Sequence, residues 1–360
     1  MRVAVAGAGA FGRNHLRVYR ELEAAGLPVA LVAAIEPDSA RAAETADKYA
    51  VPVFATVDEL LAADLHLNAA SVAVPTSQHH AVAYQLLDAG LDVLVEKPIA
   101  ATLVEADDLL ALADKKRRIL QPGHLERFNP AVLAVQPKLR RPMFFEAHRL
   151  SVFTPRALDV DVVLDLMIHD LDIVLTFANS PVREVRAVGL PILSPKVDIA
   201  NVRVEFESGC VANFTASRVS TERVRKLRFF EPRQYVSIDY ARRELLVIRL
   251  DGSVPSEIAA ALEGGRIDPA MLAQLAAAAS AQGQATGAGP GLSFVKPPVT
   301  PGEPLRLEIE SFLESVRTRC APRVTARQGR SALALALEIQ SSMEAHAARA
   351  GLGDFFNPGA

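Results

Sequence analysis

Short, uninterrupted apolar runs alternate with longer stretches in which apolar positions recur every three or four residues. The runs are Arg2–Ala6, Val29–Ile35, Val53–Phe54, Ala69–Val74, Val93–Glu96 and Ile119–Gln121. A continuous apolar run of this length reads as a strand buried on both faces. The stretches between them, Gly12–Ala25, Ser39–Tyr49, Val57–Ala63, His79–Ala89 and Val104–Lys116, carry helical periodicity. In the first, Leu16, Tyr19 and Leu22 form one stripe with Glu23 at its polar margin. Strand–helix repetition predicts a parallel sheet with right-handed crossovers.

The pattern changes after about Gly123. A helical piece follows Pro130. Strand-like runs then come at Met143–Leu150, Val182–Val188, Asn201–Glu205, Val211–Ser217, Leu227–Phe230, Tyr235–Asp239 and Glu244–Arg249, with a helix at Val160–Phe177 between the first two. Consecutive strands with short turns predict a large antiparallel sheet in an α+β domain. The expected organisation is residues 1–122 as a Rossmann domain and 123–350 as a second domain, in which Gly264–Pro290, rich in Ala, Gly and Gln, is a variable excursion. Leu305–Arg317 and Gly329–His346 are the closing helices. No internal repeat is visible.

Composition narrows the classes. The chain has 360 residues, 50% of them hydrophobic, which suits about two domains. Its net charge of −3 lacks the basic excess of a nucleic-acid binder. Cys210 and Cys320 are far apart and in no metal-like spacing, which fits a reducing cytoplasm and neither a disulfide framework nor a metal centre. The apolar start is broken by Gly7, Gly9 and Gly12 and followed at once by Arg13, Asn14 and His15, unlike a secretion signal. No segment reaches the roughly 20 apolar residues of a spanning helix.

Two phrases carry chemistry. Gly7-Ala8-Gly9-Ala10-Phe11-Gly12 follows a strand and opens a helix, where glycines permit a tight turn and let the backbone approach a pyrophosphate at the helix N-terminus. Glu36 ends the second strand, at about the ~20-residue spacing from which a carboxylate reaches ribose hydroxyls and repels a 2′-phosphate. NAD is therefore expected over NADP; Asp38 adds to the negative field and Arg41 moderates it. The second phrase is Val93-Leu94-Val95-Glu96-Lys97-Pro98. It sets a lysine at the carboxyl end of a central strand, where open α/β sheets bind ligands. Pro98 biases Lys97 toward an extended backbone.

The order GAGAFGRNH, VPTSQHH, VEKP and DLMIHDLD resembles the Gfo/Idh/MocA family of sugar and polyol dehydrogenases over nearly the whole chain. The resemblance implies a Rossmann domain followed by an open antiparallel sheet, a nicotinamide cofactor, a carbohydrate-like substrate, and homodimers or homotetramers through the open sheet face. It places Pro75 and Thr76 in a cofactor-contacting turn. His79 and His80 are either cofactor neighbours or a helix-start pair satisfied locally. It puts Glu96 at the nicotinamide ribose and Lys97 at the substrate hydroxyl, and it implies that the Lys97–Pro98 bond is often cis.

Asp165 and His169 are four apart, which on a helix puts them on one face. By the family's pattern they are the catalytic pair, with His169 as general base and Asp165 as its orienter or a substrate ligand. Lys97 is then a cationic clamp on the developing alkoxide. Asp172 is either part of the same phrase or a packing residue.

Gly123-His124-Leu125-Glu126-Arg127-Phe128-Asn129-Pro130 resembles a phrase of a bacterial subgroup that includes UDP-N-acetylglucosamine 3-dehydrogenases of amide-linked lipid A synthesis. It makes His124, Glu126, Arg127 and Asn129 candidate substrate contacts, against the plainer reading of a polar crossover that packs the domains. The basic stretch Ser217–Lys226 is either a diphosphate receiver or a charged strand edge. Rival readings are an inositol or monosaccharide dehydrogenase, a non-catalytic NAD-bound regulator, and an NAD-dependent glycosidase. Intact Lys97, Asp165 and His169 argue against the regulator, and no acid for the glycosidase is evident.

Overall fold

The computed structural model describes residues 1–154, 160–250 and 292–352. The expected excursion Gly264–Pro290 lies outside the described residues. The chain forms two compact units: residues 1–128, 171–173 and 302–338, and the remainder.

The first unit holds a six-stranded parallel sheet, made of β1 (Arg2–Ala6), β2 (Ala30–Ile35), β3 (Val53–Phe54), β4 (Ala69–Val72), β5 (Asp92–Glu96) and β6 (Leu120–Gly123), in the order β3-β2-β1-β4-β5-β6. This is the doubly wound order, and its strand sequence reverses between β1 and β4. β4 and β5 are buried along their whole length, which accounts for their unbroken apolar character. The helices are α1 (Gly12–Ala24), α2 (Ser39–Tyr49), α3 (Val57–Ala62), α4 (Thr76–Asp88) and α5 (Leu103–Lys116). Asp38, Thr56 and Thr102 cap α2, α3 and α5 with side-chain oxygens, the last in a capping box with Glu105.

The helix Pro304–Thr318 (here α8, following α6 at Pro130–Val135 and α7 at Ile168–Ala178) belongs to this unit. Its Leu305, Ile309, Phe312, Leu313 and Val316 join Leu16, Tyr19, Leu22 and Leu94 in one buried cluster. Both ends of α8 are tied by ions: Arg17 to Glu303, and Arg319 to Asp92 by two bonds of 2.6 and 3.0 Å. The division therefore does not fall at one point near residue 122, because the apolar stripe of α8 is complementary to the Rossmann sheet.

The second unit is built on an eight-stranded sheet: β7 (Phe144–Leu150), β8 (Val182–Leu190), β9 (Ile199–Phe206), β10 (Val211–Ser217), β11 (Val224–Glu231), β12 (Gln234–Asp239), β13 (Glu244–Leu250) and β14 (Leu292–Val295). The order is β14-β13-β12-β11-β7-β10-β9-β8. All pairs are antiparallel except β7–β10. The helix after β7 carries the chain across to β8, so the returning meander lays β10 alongside β7 in the same direction. β11 lies inside the sheet between β12 and β7, so Val224–Lys226, the end of the basic stretch, are not on a strand edge. β14 carries no signal in the sequence reading.

On the covered face, Arg149 of β7 makes two hydrogen bonds to Asp170, at 2.7 and 3.1 Å, and its guanidinium lies 5.1 Å from the Tyr240 ring centroid. Both members of the ion pair are buried. Removing one partner leaves an uncompensated charge. Arg149→Ala is therefore expected to lose about 3–5 kcal/mol in urea unfolding, and the double variant Arg149→Met/Asp170→Leu should recover most of it.

Candidate active site

The glycine turn is fixed by steric room. Gly7 has φ +92°, and a Cβ there would lie 2.6 Å from the Ala73 carbonyl oxygen; one on Gly12 would lie 1.9 Å from the Gly7 oxygen. A Cβ on Gly9 would meet no atom within 4 Å. Gly7 and Gly12 thus close the turn while Gly9 leaves its outer side open, at the N-terminus of the 13-residue α1. An anion fits such a cradle. Ala10 and the exposed Phe11 complete its rim. The same contact sets the turn after β4, which leads into Pro75 and Thr76, against the glycine turn.

Glu36 closes the cradle on the β2 side. One carboxylate oxygen accepts the Ala8 N–H at 3.1 Å; the other accepts the Asp38 N–H and an Arg41 N–H, both at 3.0 Å. Burial alone would raise its pKa, but the Arg41 bond and the two backbone N–H groups outweigh it and hold the carboxyl below the usual carboxylate range. A fixed negative charge stands where ribose hydroxyls would be bound. The turn, the open face at Gly9 and this carboxylate together fit a dinucleotide.

Glu96 and Lys97 end β5. Glu96 is buried, and its Oε1 lies 2.8 Å from His15 Nε2. The His15 ring also meets Phe11 edge-on, 5.6 Å between centroids. A Cβ on Gly123 of β6 would come within 3.0 Å of the Glu96 carboxyl, so glycine there gives Glu96 its place. Lys97 is half-buried and its bond to Pro98 is cis.

α4 begins at Thr76, directly after Pro75, so His79 and His80 stand in its interior and not at its start. His79 is buried, with one ring nitrogen 2.7 Å from the Pro98 carbonyl oxygen and the other 2.9 Å from that of Val74. A neutral imidazole carries one N–H, so it donates to one of these carbonyls and lies against the other. His79 thereby links the turn after β4 to the loop behind Lys97. Burial holds its pKa below the ordinary imidazole value. His80 pairs with Asp108 at 2.7 Å.

The phrase after β6 is buried. Asn129 caps α6 by accepting the Ala131 N–H at 3.1 Å, and its amide donates to the Tyr240 carbonyl at 3.1 Å. Arg127 and His124 lie 3.6 and 4.0 Å from Asp172, which is itself 2% exposed. Burial lowers the His124 pKa. Glu126 is buried beside them. Asn129 is thus a helix cap and Arg127 lies beside Asp172 as its counter-ion, contacts that serve packing. Asp172 is accordingly a packing residue.

In the second unit, Asp161 accepts the N–H groups of Val163 and Leu164 at 2.9 and 3.0 Å and starts the helix that carries Asp165 and His169. Its first stretch, Val163–Met167, is π-helical and passes into α7 at Ile168. Asp165 stands on the π stretch and His169 in the first turn of α7. π turns within α-helices recur at functional sites. Both side chains are half-buried, whereas Asp170 and Asp172 are buried. Arg218, a candidate diphosphate receiver, donates to the Val160 carbonyl at 2.5 Å and lies 3.5 Å from buried Asp198. That makes it a structural arginine.

Among the described residues no three His, Cys, Asp or Glu side chains group as metal ligands, and no helix is long and apolar enough to cross a membrane. Cys210 and Cys320 are free, and burial pushes the Cys210 thiol up to about 11. His15 is the site residue that sequence reasoning passed over. Its signal was a histidine in the buried stripe of α1, one turn past the last glycine.

Residues 1–124 match the family model described as an oxidoreductase family with an NAD-binding Rossmann fold, and residues 132–233 match the GFO/IDH/MocA C-terminal domain. The chain is 33% identical over 347 residues to UDP-N-acetylglucosamine 3-dehydrogenase of Acidithiobacillus ferrooxidans, covering 96% of this chain and 98% of that protein. A solved structure of that enzyme superposes with a TM-score of 0.80 at 32% identity, covering 96% of this chain and 98% of the other. Inositol 2-dehydrogenase of Corynebacterium glutamicum is 28% identical over 54% of this chain and 58% of its own. The WlbA dehydrogenase of Chromobacterium violaceum, solved with NADH and UDP-GlcNAcA, shares the fold: TM-score 0.73, 16% identity, covering 96% and 94% of the two chains.

The first unit belongs to an NAD-binding Rossmann family, and the Glu36 carboxylate is expected to set a preference for NAD over NADP. Glu36→Ala is expected to weaken NADH binding about 10- to 100-fold and to raise the NADPH-to-NADH affinity ratio, read by nucleotide fluorescence titration. Because the Glu36 pKa is depressed, its charge is present above the ordinary carboxylate pKa and persists as pH falls through it. The NADH preference should therefore hold down through the ordinary carboxylate range and fade only below it. A preference that collapses within that range would contradict the assignment.

Proposed function

The chain belongs to the Gfo/Idh/MocA oxidoreductase family, and on that premise we propose that it oxidises the C3 hydroxyl of UDP-N-acetylglucosamine to the 3-keto sugar. The observation that carries the substrate is the span of the likeness. The match to the UDP-N-acetylglucosamine enzyme runs through 96% of this chain, including the second unit, whereas the inositol dehydrogenase match stops at 54%.

Gly7, Gly9, Ala10, Phe11 and Gly12 with Glu36 would hold the NAD pyrophosphate and ribose, Pro75 and Thr76 would border it, and Glu96 would meet the nicotinamide ribose. NAD, when bound, supplies the acceptor for the hydride that leaves carbon. The chain's own residues manage the proton and the charge. His169 takes the hydroxyl proton, and Asp165 orients the imidazole or holds a neighbouring hydroxyl. The Lys97 ammonium steadies the negative charge that grows on the reacting oxygen. His79 supports Lys97 from behind through the Pro98 carbonyl.

The first unit is the cofactor-binding part in this reading, and the second supplies the proton chemistry and an assembly surface. On the open face of the sheet Phe144, Phe230 and Tyr235 stack at 5.5 and 5.2 Å, with Phe230 37% exposed. Such an aromatic strip suits burial against a second copy, as dimer or tetramer. The product suits a cytoplasmic aminotransferase step leading to an amide-linked lipid A.

NADH formation over a panel of UDP-sugars and free polyols, with a ketone trap, tests the substrate. UDP-N-acetylglucosamine should be the best substrate; fast turnover of inositol with none of the UDP-sugar would overturn the proposal. Lys97→Ala and His169→Ala should each lower kcat about 10²- to 10⁴-fold with NADH affinity kept. In light scattering, Phe230→Glu should shift the protein to a smaller species; a wild-type monomer would dismiss the assembly surface.

A further inference from the structure

The apolar stripe of α8 contains a residue that does not belong there. Leu305, Ile309, Phe312, Leu313 and Val316 are buried at helical spacing, and Glu308 sits among them with 0% exposure. Among the described residues no donor reaches either of its carboxyl oxygens. A buried carboxylate with no donor costs several kcal/mol, so this position calls for an explanation.

Its surroundings supply one. α8 covers the face of the sheet that carries Leu94. Glu96 lies two residues on, hence on the same face of β5. On β6 the same face carries Gln121, whose amide donates to the Glu308 backbone carbonyl at 3.4 Å, and Gly123, over which the Glu96 carboxyl rests. The charged groups acting on Glu308 are Glu96 from β5 and Asp172 from α7, both carboxylates. Around them stand His15, bonded to Glu96, and Tyr19, bonded through its hydroxyl to Ser71, from α1. His124 and Arg127 after β6 flank Asp172; Lys97 follows Glu96, and Arg323 lies near Arg127. The charged groups that act directly on Glu308 are thus acceptors, and no cation or N–H donor reaches its oxygens. A carboxyl among acceptors makes a hydrogen bond only by carrying its proton.

We propose that Glu308 is a positioning residue of the cofactor site, held as a neutral carboxylic acid that donates to the Glu96 carboxylate and steadies it against His15. Burial, and then the two neighbouring carboxylates, push its pKa well above the ordinary value, in agreement with the geometry. The role in cofactor binding rests on the reading of Glu96 given above; the neutral acid does not. Because the oxidised nicotinamide is cationic and the reduced one is not, binding of NAD+ favours release of the Glu308 proton to solvent. NAD+ affinity should then rise with pH relative to that of NADH.

Infrared difference spectra of the cofactor-free protein near neutral pH should show a protonated-carboxyl C=O band that Glu308→Gln removes. Stability gives the matching sign: the native state holds a proton that the unfolded chain loses above the ordinary carboxylate pKa. The wild type should therefore lose thermal stability as pH rises from that value toward the raised one, and Glu308→Gln should lose less. In the wild type the NAD+-to-NADH affinity ratio should rise about tenfold between about pH 6 and pH 9, while Glu308→Gln should stay within about twofold. Gln keeps a donor for Glu96 and should bind NADH as the wild type does. Glu308→Leu should fold at least as stably yet bind NADH about tenfold more weakly. Absence of the band, or a band unchanged in Glu308→Gln, overturns the neutral acid. A band that behaves as expected, with weaker NADH binding in Glu96→Gln but wild-type affinity in Glu308→Leu, overturns the positioning role alone. Unchanged affinity in both overturns the reading of Glu96 as well.

Discussion

A charged side chain has to be held at the end of a strand that is otherwise fully buried, and much of the first unit answers that requirement. Glu96 closes β5, whose five residues are all buried. Its carboxylate is bonded by His15 and admitted by the missing side chain at Gly123. The next residue is Lys97, so whatever fixes Glu96 also fixes the amine. His79 serves the same end from the other side, bridging the carbonyls of Val74 and Pro98. The Gly7–Ala73 approach ties the glycine turn to the turn that leads to His79. Cofactor turn and lysine therefore share one set of restraints at one sheet edge, the edge at which doubly wound sheets bind ligands.

The first sheet was legible because parallel strands are buried on both faces and their apolar runs need no partner to be recognised. The start of α4 was misplaced by three residues because Thr76, Ser77 and Gln78 carry no apolar periodicity; the fixed φ of Pro75 begins that helix instead. The parallel β7–β10 pair was not legible. Alternation gives which residues face inward but not which strand lies beside which. β14 pairs with β13 across a long separation in sequence, and local pattern carries no trace of such pairing.

The site residues divide along the same line. The glycines, Glu36, Glu96 and Lys97 sit at the ends of apolar runs, where a polar residue is conspicuous. His15 and Glu308 sit inside apolar stripes of helices, where a polar residue reads as noise in the periodicity. Asn129 and Arg127 show the converse. They stand in a polar phrase and look available to a ligand, yet one caps α6 and the other lies beside Asp172. A residue's polarity in sequence says little about whether its partner is a substrate or the protein itself.

The run Asp165-Leu-Met-Ile-His-Asp-Leu-Asp172 makes that distinction within one helix. Three of its eight residues are acids, and their surroundings separate them. Asp170 is buried and bonded by both arms of Arg149. Asp172 is buried beside Arg127 and His124. An enclosed carboxylate whose charge is balanced by an adjacent arginine is a poor candidate for proton chemistry, since any change in its protonation breaks the pair. Asp165 remains half-buried, as does His169, and the helix that carries them opens with a π stretch capped by Asp161. Asp170 and Asp172 are thus taken up by the protein's own arginines, and Asp165 and His169 are the members of the run left to engage a ligand.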